Sequence, residues 1–345
     1  MTGGQDGPKL GVIGSGPIVP FHLDALAAVG FDLAVIGSLA DSQTSRALAS
    51  RYSFAHLARD WRDVLAHELD AVLIAVNTPN TPIVLAEAVK ANIPILVEKP
   101  VAPSAADLSV FLDDPDQDRI MVGYNRRHYS SVAAARAMIR DAEGAATFHA
   151  SIPEASWDAE MDAASKRDFL LFNSVHILDL LNYLFGRLHL AGVSGIEDST
   201  GVVSRVGTLT TDPAAAVKSC GTVLVSFGSP SGYFIDIHTP GKSASLRPIE
   251  LFQEFTGIHI VSPTPAIPLR RYISTPGAAF TLSPYDVEFK PGFHSQALEF
   301  LNSVTGAPTP GGRKSATLDD AAHALSMAEQ LLRGQTTGNT SQPED

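Results

Sequence analysis

A lysine at the end of an apolar run is the first side chain in this sequence with clear chemical potential. The run Ile95–Val97 is followed by Glu98, Lys99 and Pro100. Short apolar runs of this kind are typical of buried parallel strands, and ligands bind at the carboxyl ends of such strands. An ammonium group there is suited to hold substrate hydroxyls and to stabilise negative charge that develops on an oxygen. A solvated lysine at a strand end is the plain alternative.

A histidine in a later helical pattern is the second candidate. His176 lies in the helix pattern Ser174–Phe185, and an imidazole with an ordinary pKa of ~6.5 exchanges protons near neutrality. Removing a hydride from a carbinol carbon requires the hydroxyl proton to leave as well, so a base and a nearby positive charge both help. His176 therefore predicts acid–base chemistry, with a core histidine as the alternative. Asn173 is predicted to bind substrate, with a helix N-cap as the alternative. Asp179 lies one turn after His176, where it orients the imidazole or pairs with a structural partner.

A glycine turn near the start is typical of a dinucleotide-binding fold. The short strand Leu10–Ile13 leads into the turn, and a helical pattern follows over Phe21–Val29. This order places backbone N–H groups and a helix dipole at one point, where a pyrophosphate binds. Val19 replaces the third glycine of the fingerprint, so we expect the helix to sit slightly further from the strand. A purely structural tight turn is the alternative. The turn residues are Gly14, Ser15, Gly16, Pro17 and Ile18.

The end of the second strand bears on which cofactor binds. In an NAD-binding fold an acidic residue follows this strand and binds the ribose 2′-hydroxyl. Here Leu33–Ile36 runs into Gly37 and Ser38, and the first acid is Asp41. A hydroxyl residue removes repulsion against a 2′-phosphate, and Arg46 follows on the next helix, although it is distant. The sequence therefore predicts NADP or NAD and slightly favours NADP, while Asp41 keeps NAD open.

The remaining patterns divide the chain into two α/β regions. Strand and helix patterns alternate up to residue 123, which indicates a doubly wound parallel sheet. One of these strands ends in the turn cluster Asn77, Thr78, Pro79 and Asn80. After Ala145 several strands alternate apolar and polar residues, as antiparallel strands with one covered face do. We predict a dinucleotide-binding domain over 1–123, a substrate-binding and oligomerisation domain over 124–333, and a polar tail over 334–345.

The composition excludes several classes of protein. The chain has 345 residues, of which 45% are hydrophobic and 18% charged, with a net charge of −12 and one cysteine. This balance argues against a nucleic-acid partner, and no apolar stretch reaches the ~18 residues that span a bilayer. The first residues lack the features of a signal peptide, and a single cysteine suits a reducing compartment. We therefore expect a cytoplasmic protein with no membrane partner. The histidines lack metal-ligand spacing, so we predict no metal site.

Five motifs in order resemble the Gfo/Idh/MocA oxidoreductases, over roughly Lys9 to Leu332. They are Gly14-Ser15-Gly16 with His22, Thr78-Pro79-Asn80, Glu98-Lys99-Pro100, Val122–Arg127 and Asn173–Asp179. The resemblance implies a Rossmann domain followed by an α/β domain with a large open, mostly antiparallel sheet, whose exposed face forms homodimers or homotetramers. It implies hydride transfer between NAD or NADP and a carbinol or carbonyl of a sugar, sugar nucleotide or cyclitol. Lys99 would then contact nicotinamide and substrate, His176 would be the acid or base, and a cis bond would precede Pro100.

The residues and the resemblance together assign two sets of ligands. The predicted cofactor contacts are Gly14, Ser15, Gly16, Pro17, Ile18, Ser38, Asn77, Thr78, Pro79, Asn80, Glu98 and Lys99. The predicted substrate contacts are Phe172, Asn173, Asp179 and Arg127. Arg126 and Arg127 follow a strand end, so they reach the cofactor or an anionic substrate, or they form salt bridges.

One position departs from the family pattern. Members often carry an aspartate four residues before the histidine, but Phe172 stands there, and Asn173 matches a subgroup in which asparagine precedes the histidine. Asp168 is a distant replacement for the missing acid. The departure suggests a substrate with an apolar face near Phe172. It also leaves two alternatives open: a family member that senses cofactor or ligand without turnover, and a reductase of a non-sugar imine or carbonyl.

Overall fold

The chain forms two compact units, and each is described by itself. The computed structural model describes residues 7–40, 42–113, 117–142, 144–154, 162–199, 201–312 and 314–334. The first unit contains the described parts of Met1–Tyr129 and Pro284–Ser326, and the second those of Ser130–Ser283 and Met327–Asp345. This grouping differs from the two contiguous domains predicted from the sequence, 1–123 and 124–333, because the chain returns to the first unit after residue 283. All but Gly334 of the predicted tail lies outside the described residues.

The first unit is built on a six-stranded parallel sheet with the strand order β3-β2-β1-β4-β5-β6. This order is that of a dinucleotide-binding doubly wound sheet, so the predicted fold of this region is confirmed. The strands are β1 (Lys9–Ile13), β2 (Asp32–Gly37), β3 (His56–Leu57), β4 (Ala71–Ile74), β5 (Ile95–Val97) and β6 (Ile120–Val122). The helices are α1 (Val19–Val29), α2 (Gln43–Arg51), α3 (Trp61–Val64), α4 (Thr81–Ala88), α5 (Ala105–Leu112), α9 (Pro284–Glu288) and α10 (Phe293–Thr305).

The returning segment belongs to the first unit because its apolar face completes the core there. Phe293, Ala297 and Phe300 of α10 are buried in the same cluster as the apolar residues of β1 and α1. The ring of Phe300 stacks on that of Phe31, with 5.6 Å between the centroids. The amphipathic pattern of α10 predicts a helix but does not say which core it joins. Only the fold brings these residues together.

The second unit is built on an eight-stranded sheet with the order β14-β13-β12-β11-β7-β10-β9-β8. Neighbouring strands are antiparallel except for β7 and β10, which are parallel. The predicted large, mostly antiparallel sheet is therefore confirmed. Its strands are β7 (Ala145–Glu154), β8 (Leu188–Asp198), β9 (Gly201–Thr211), β10 (Lys218–Phe227), β11 (Phe234–Thr239), β12 (Lys242–Leu246), β13 (Phe252–Val261) and β14 (Arg271–Pro276).

A continuous helical run covers one face of this sheet. It consists of α7 (Ala163–Phe169), one π-helical turn over Leu170–Ser174, and α8 (Val175–Phe185). The predicted helix began only at Ser174, so the structure extends it upstream. Two further helices, α6 (Ser130–Asp141) and part of α11 (Leu318–Arg333), complete the unit. Because π turns occur often at functional sites, the turn just before His176 is notable.

Candidate active site

The carboxyl edge of the parallel sheet gathers most of the predicted cofactor residues. Gly14, Ser38, Asn77 and Lys99 each follow the end of a different strand, namely β1, β2, β4 and β5. Because the strands are parallel, these segments emerge at one edge of the sheet. Backbone hydrogen bonds continue past the strand ends, for example from the N–H of Gly14 to the carbonyl of Gly37 at 2.8 Å. The structure therefore brings the predicted cofactor segments of the first unit together.

Gly14 is required by close packing of the backbone. Its φ of +122° lies in a region that side chains rarely adopt, and a Cβ there would sit 2.1 Å from the carbonyl oxygen of Ala75. Ala75 follows β4, so Gly14 lets the turn after β1 pass directly over the neighbouring strand end. This glycine serves the fold itself, whatever binds at the turn.

Gly16 and the start of α1 leave open space at the glycine turn. A Cβ on Gly16 would meet no atom of the described residues within 4 Å, so space lies over this part of the turn. Within the described part of the chain no side chain caps the N-terminus of α1, whereas Ser42, Asp60 and Ser104 cap α2, α3 and α5. The Val19 N–H donates to the carbonyl of Gly16 and the Phe21 N–H to that of Ile18, so it is the positive end of the α1 dipole, with room beside it, that suits a pyrophosphate group. These residues therefore fit a dinucleotide cofactor.

Two positions depart from the usual dinucleotide-binding pattern: Val19 at the third glycine and Ser38 after β2. Val19 is completely buried in the core of the first unit. The expected wider spacing of α1 stays a prediction. The Ser38 hydroxyl donates to the carbonyl of Ala40 at 2.7 Å and lies 2.8 Å from the Ser45 hydroxyl on α2. Ser38 therefore shapes the loop after β2, while Asp41 lies outside the described residues.

The turn after β4 is organised by its own side chains. Thr78–Asn80 forms a single 3-10 turn that leads into α4. The Asn80 side-chain amide donates to the side-chain oxygen of Asn77 at 2.6 Å, and the Thr81 hydroxyl donates to the Asn77 carbonyl at 3.3 Å. These bonds hold the predicted cofactor residues of this turn in one conformation.

Glu98 is buried and is held by two segments. Its carboxylate is 9% exposed, and its Oε1 lies 2.6 Å from Nε2 of His22 on α1. Its Oε2 accepts a hydrogen bond from the Lys99 backbone N–H at 3.1 Å. A side chain on Gly123 would approach Oε1 within 2.9 Å, so this glycine makes room for the carboxylate. Glu98 thus fixes the backbone at Lys99.

Lys99 stands partly exposed at the end of β5, and the bond from Lys99 to Pro100 is cis, as the resemblance implied. A second lysine, Lys290, is not among the predicted site residues. Its Nζ lies 4.6 Å from the ring centroid of Phe21 and 5.3 Å from that of Phe293. Burial lowers the pKa of Lys290, while the charge of Glu98 opposes this shift. The Glu98 carboxylate is therefore flanked by more positive charge than the contiguous motif indicates.

Arg127 was predicted as a substrate contact, but it is buried inside the first unit. Its Nη1 lies 3.2 Å from Oδ2 of Asp320, and the same group reaches the carbonyl of Lys314 at 3.5 Å. Burial opposes ionisation of Asp320, but Arg127 and hydrogen bonds from Thr317 outweigh it and lower the pKa of this carboxyl. These contacts match the salt-bridge alternative, and a substrate role for Arg127 stays a prediction.

The predicted residues of the second unit lie on the helical run. His176 is 8% exposed in the first turn of α8, and Asp179, one turn later, is completely buried. Phe172 and Asn173 lie in the π turn and are partly exposed. The helix therefore brings Asn173, His176 and Asp179 onto one face. Asp168 on α7 is exposed next to Arg167, so it is poorly placed as a replacement acid.

A carboxylate missed by the sequence argument lies beside Asn173. Glu154, the last residue of β7, is only 2% exposed. Its Oε2 accepts from the Asn173 side-chain amide at 3.0 Å, and its Oε1 accepts from the Tyr233 hydroxyl at 2.9 Å and from the Ser174 hydroxyl. The sequence offered no local signal for this cluster, because its members come from three separate segments.

Two other predictions concern metals and membranes. Across the described ranges, no three side chains of the His, Cys, Asp or Glu type gather in an arrangement that would bind a metal ion. In the same part of the chain, no helix is both long and apolar enough to cross a membrane.

Together the strand order, the glycine turn and the uncapped helix define a dinucleotide-binding protein of the Rossmann class. Residues 9–124 match the model of GFO_IDH_MocA, the oxidoreductase family with an NAD-binding Rossmann fold, and this segment belongs to that family. The predicted resemblance and the oxidoreductase class are thereby confirmed. No curated protein sequence matches the chain.

Solved structures extend the likeness along the chain. Levoglucosan dehydrogenase in complex with NADH is similar with a TM-score of 0.73 and 15% identity, over 95% of this chain and 96% of that one. UDP-N-acetylglucosamine 3-dehydrogenase from Acidithiobacillus ferrooxidans has a TM-score of 0.72 and 18% identity, over 95% and 97%. A putative myo-inositol dehydrogenase from Sinorhizobium meliloti 1021 has a TM-score of 0.67 and 19% identity, over 95% and 97%. At these identities the likeness establishes the fold alone.

Proposed function

We propose that the protein is a dehydrogenase that transfers a hydride between a nicotinamide cofactor and a carbinol or carbonyl of a polyhydroxylated small molecule. The observation that carries this proposal is the carboxyl edge of the parallel sheet. There, an uncapped helix α1 and the open space over Gly16 adjoin the edge from which Lys99 emerges. The similar structures include dehydrogenases of a sugar, a sugar nucleotide and an inositol, which supports the substrate class.

The chemistry follows from two side chains. A bound nicotinamide supplies or accepts the hydride. His176 takes the proton from the substrate hydroxyl in the direction of oxidation and returns it in the direction of reduction. Lys99 stabilises negative charge that develops on a substrate oxygen. The Glu98 carboxylate holds the backbone from which Lys99 projects.

The contacts to substrate and cofactor stay proposals at the level of individual residues. Asn173 and Phe172 are partly exposed and suit substrate contacts, with Phe172 providing an apolar surface. For Asp179, complete burial supports a role in orienting His176 rather than a direct substrate contact. NADP is favoured slightly over NAD, because Ser38 carries no charge and Arg46 lies in the first half of α2.

We also propose that the protein acts in the cytoplasm as a homodimer or homotetramer that assembles through the outer face of the large sheet. Support comes from side chains on that face that are exposed, among them Val206 on β9 and Cys220 on β10. Light scattering of the purified protein tests this, and a monomer at micromolar concentration would contradict it.

The function is tested by binding and turnover in sequence. Titration with NAD and NADP comes first; levoglucosan, myo-inositol and UDP-N-acetylglucosamine are then offered with the tighter cofactor, and nicotinamide absorbance reports turnover. We expect Lys99→Met and His176→Asn each to lower kcat by about 10²- to 10⁴-fold. The affinity for the cofactor should stay nearly unchanged in His176→Asn. Lys90→Met is the matched control, since Lys90 is exposed and pairs with Glu87 on the surface.

The outcomes separate the alternatives that Phe172 raises. Failure to bind either cofactor would contradict the whole proposal. Cofactor binding without turnover of any polyol would favour a sensor that has lost catalysis. Turnover of a cyclic imine but of no polyol would favour the reductase of non-sugar substrates.

A further inference from the structure

The buried carboxylate of Glu154 is held entirely by neutral donors. Asn173, Ser174 and Tyr233 donate to it from two other segments of the second unit. No cationic side chain among the described residues forms an ion pair with Glu154, and its side chain is almost completely shielded from water. A buried carboxylate is costly unless hydrogen bonds compensate it. The donors therefore have defined orientations, because each must direct a hydrogen at Glu154.

This requirement fixes the side-chain amide of Asn173. Its Nδ2 lies 3.0 Å and 3.3 Å from the two oxygens of Glu154 and 2.7 Å from the hydroxyl oxygen of Tyr233. The Tyr233 proton is directed at Glu154, so the tyrosine oxygen accepts from Asn173. Both amide hydrogens of Asn173 are then used. A flipped amide would place its oxygen against a carboxylate, which is strongly unfavourable.

The Oδ1 atom of Asn173 therefore remains as an acceptor with one orientation. Among the described residues, no donor lies within hydrogen-bond distance of this oxygen. The side chain is partly exposed, so the oxygen is accessible from outside. Asn173 lies three residues before His176, and residues so spaced share a helix face. The free acceptor and the proposed acid or base thus lie on the same side of the helical run.

We propose that Glu154 is a positioning residue that orients Asn173, so that the Asn173 Oδ1 accepts a hydrogen bond from a substrate hydroxyl. The proposal rests on the proposed function and names a chemical feature of its substrate, a hydroxyl that donates next to the reacting carbinol. Glu154 supplies from β7 the carboxylate that position 172 lacks, but it acts through a neutral amide. A neutral acceptor selects hydroxyl donors without attracting cations.

The test exchanges donor and acceptor. Glu154→Gln keeps the shape of the side chain, but lets the Asn173 amide flip and present a donor instead of an acceptor. Asn173→Asp sets two carboxylates within hydrogen-bond distance, which cannot both stay ionised without strong repulsion. We expect each single variant to lower kcat/KM for the polyol substrate about ten- to a hundredfold. The double variant Glu154→Gln with Asn173→Asp restores one donor facing one acceptor and should recover at least half of that loss on a logarithmic scale.

A structural role alone predicts a different result. In that case the single variants lower the melting temperature, but the folded protein keeps its kcat/KM, and this outcome overturns the proposal. Failure of the double variant to recover activity, although it is as stable as the wild type, also overturns it. Glu254→Gln is the matched control, because Glu254 is a hydrogen-bonded glutamate of the same sheet that pairs with Lys242.

A second readout separates this inference from the proposed function. Without turnover by the wild type, the proposed function fails, and the orientation of Asn173 is then judged by NMR. The side-chain amide signals of Asn173, identified by their loss in Asn173→Asp, should move in Glu154→Gln and in Tyr233→Phe and should move again when myo-inositol is added. Signals that respond to neither variant, or to the variants but not to the polyol, overturn the inference.

Discussion

In each unit a buried carboxylate holds a residue of the predicted site, Glu98 in the first and Glu154 in the second, and the two carboxylates are fixed by different means. Glu98 lies 2.6 Å from an imidazole nitrogen of His22 and accepts from the backbone of Lys99. Among the residues that the structure describes, the side-chain donors to Glu154 are neutral, the Asn173 amide being one of them. The first arrangement fixes a backbone, and the second fixes the rotation of a side chain. The comparison teaches that a carboxylate can organise a site without touching the substrate.

The glycine turn offers the largest test of the first unit. Gly14→Ala should destabilise the protein by more than about 3 kcal/mol, because the residue has φ of +122° and the new Cβ collides with the backbone of Ala75. Gly16→Ala should leave stability within about 0.5 kcal/mol, because no described residue comes within 4 Å of the new Cβ, but it should weaken cofactor binding. Chemical denaturation and cofactor titration measure the two effects. Equal loss of stability in both variants would contradict the proposed division of roles.

The sequence predicts where the candidate residues of the first unit lie, because each segment follows the end of a parallel strand. Glu98, Lys99 and Pro100 follow one another, and the rule that ligands bind at the carboxyl ends of strands places them. Even there, no site role was predicted for Lys290, because it lies near Phe21 only after the chain returns from the second unit. The family pattern predicts an acid at position 172 and does not indicate a carboxylate elsewhere in the chain.

The second unit was less predictable because its contacts are long-range. Glu154 and Asn173 are 19 positions apart, and Tyr233 is 79 positions from Glu154. No periodicity links a strand end, a π turn and the residue before β11. The hairpin of β13 and β14 was also missed, since most of the side chains of both strands are exposed and show no buried face. Burial patterns predict strands only where one face is covered.

A second buried imidazole sharpens the contrast with the His22–Glu98 contact. His128 has Glu299 at 3.8 Å, but burial, with Lys314 and Arg127 nearby, outweighs that carboxylate and lowers the pKa of His128 to about 3. The ring is therefore neutral in the folded protein at pH 7. The unfolded chain binds a proton below about pH 6.5, so the free energy of unfolding should fall as the pH drops from 6.5 towards 3.

The contribution of His128 should lower the free energy of unfolding by nearly 1.4 kcal/mol for each pH unit of acidification, about the maximum for one group, within that window. His128→Asn should flatten the pH dependence of unfolding between pH 6.5 and 4, measured by denaturation at fixed salt. His67→Asn is a suitable control, because His67 is only partly buried in the loop between α3 and β4. An unchanged slope in His128→Asn would show that the ring is not held neutral.

The smallest expected effects compare the two carboxylates directly. Glu98→Gln keeps a hydrogen-bonding group beside His22, since one imidazole tautomer can meet an amide oxygen or an amide N–H. It should therefore cost only about 1–2 kcal/mol of stability and shift kcat modestly through the backbone of Lys99. In Glu154→Gln the new amide N–H faces the N–H groups of Asn173. This contact can be relieved only if the Asn173 side-chain amide itself turns. A larger fall in kcat/KM for Glu154→Gln than for Glu98→Gln supports the distinction between fixing a backbone and fixing a side chain. The reverse order would place the specificity of the site in the contiguous motif instead.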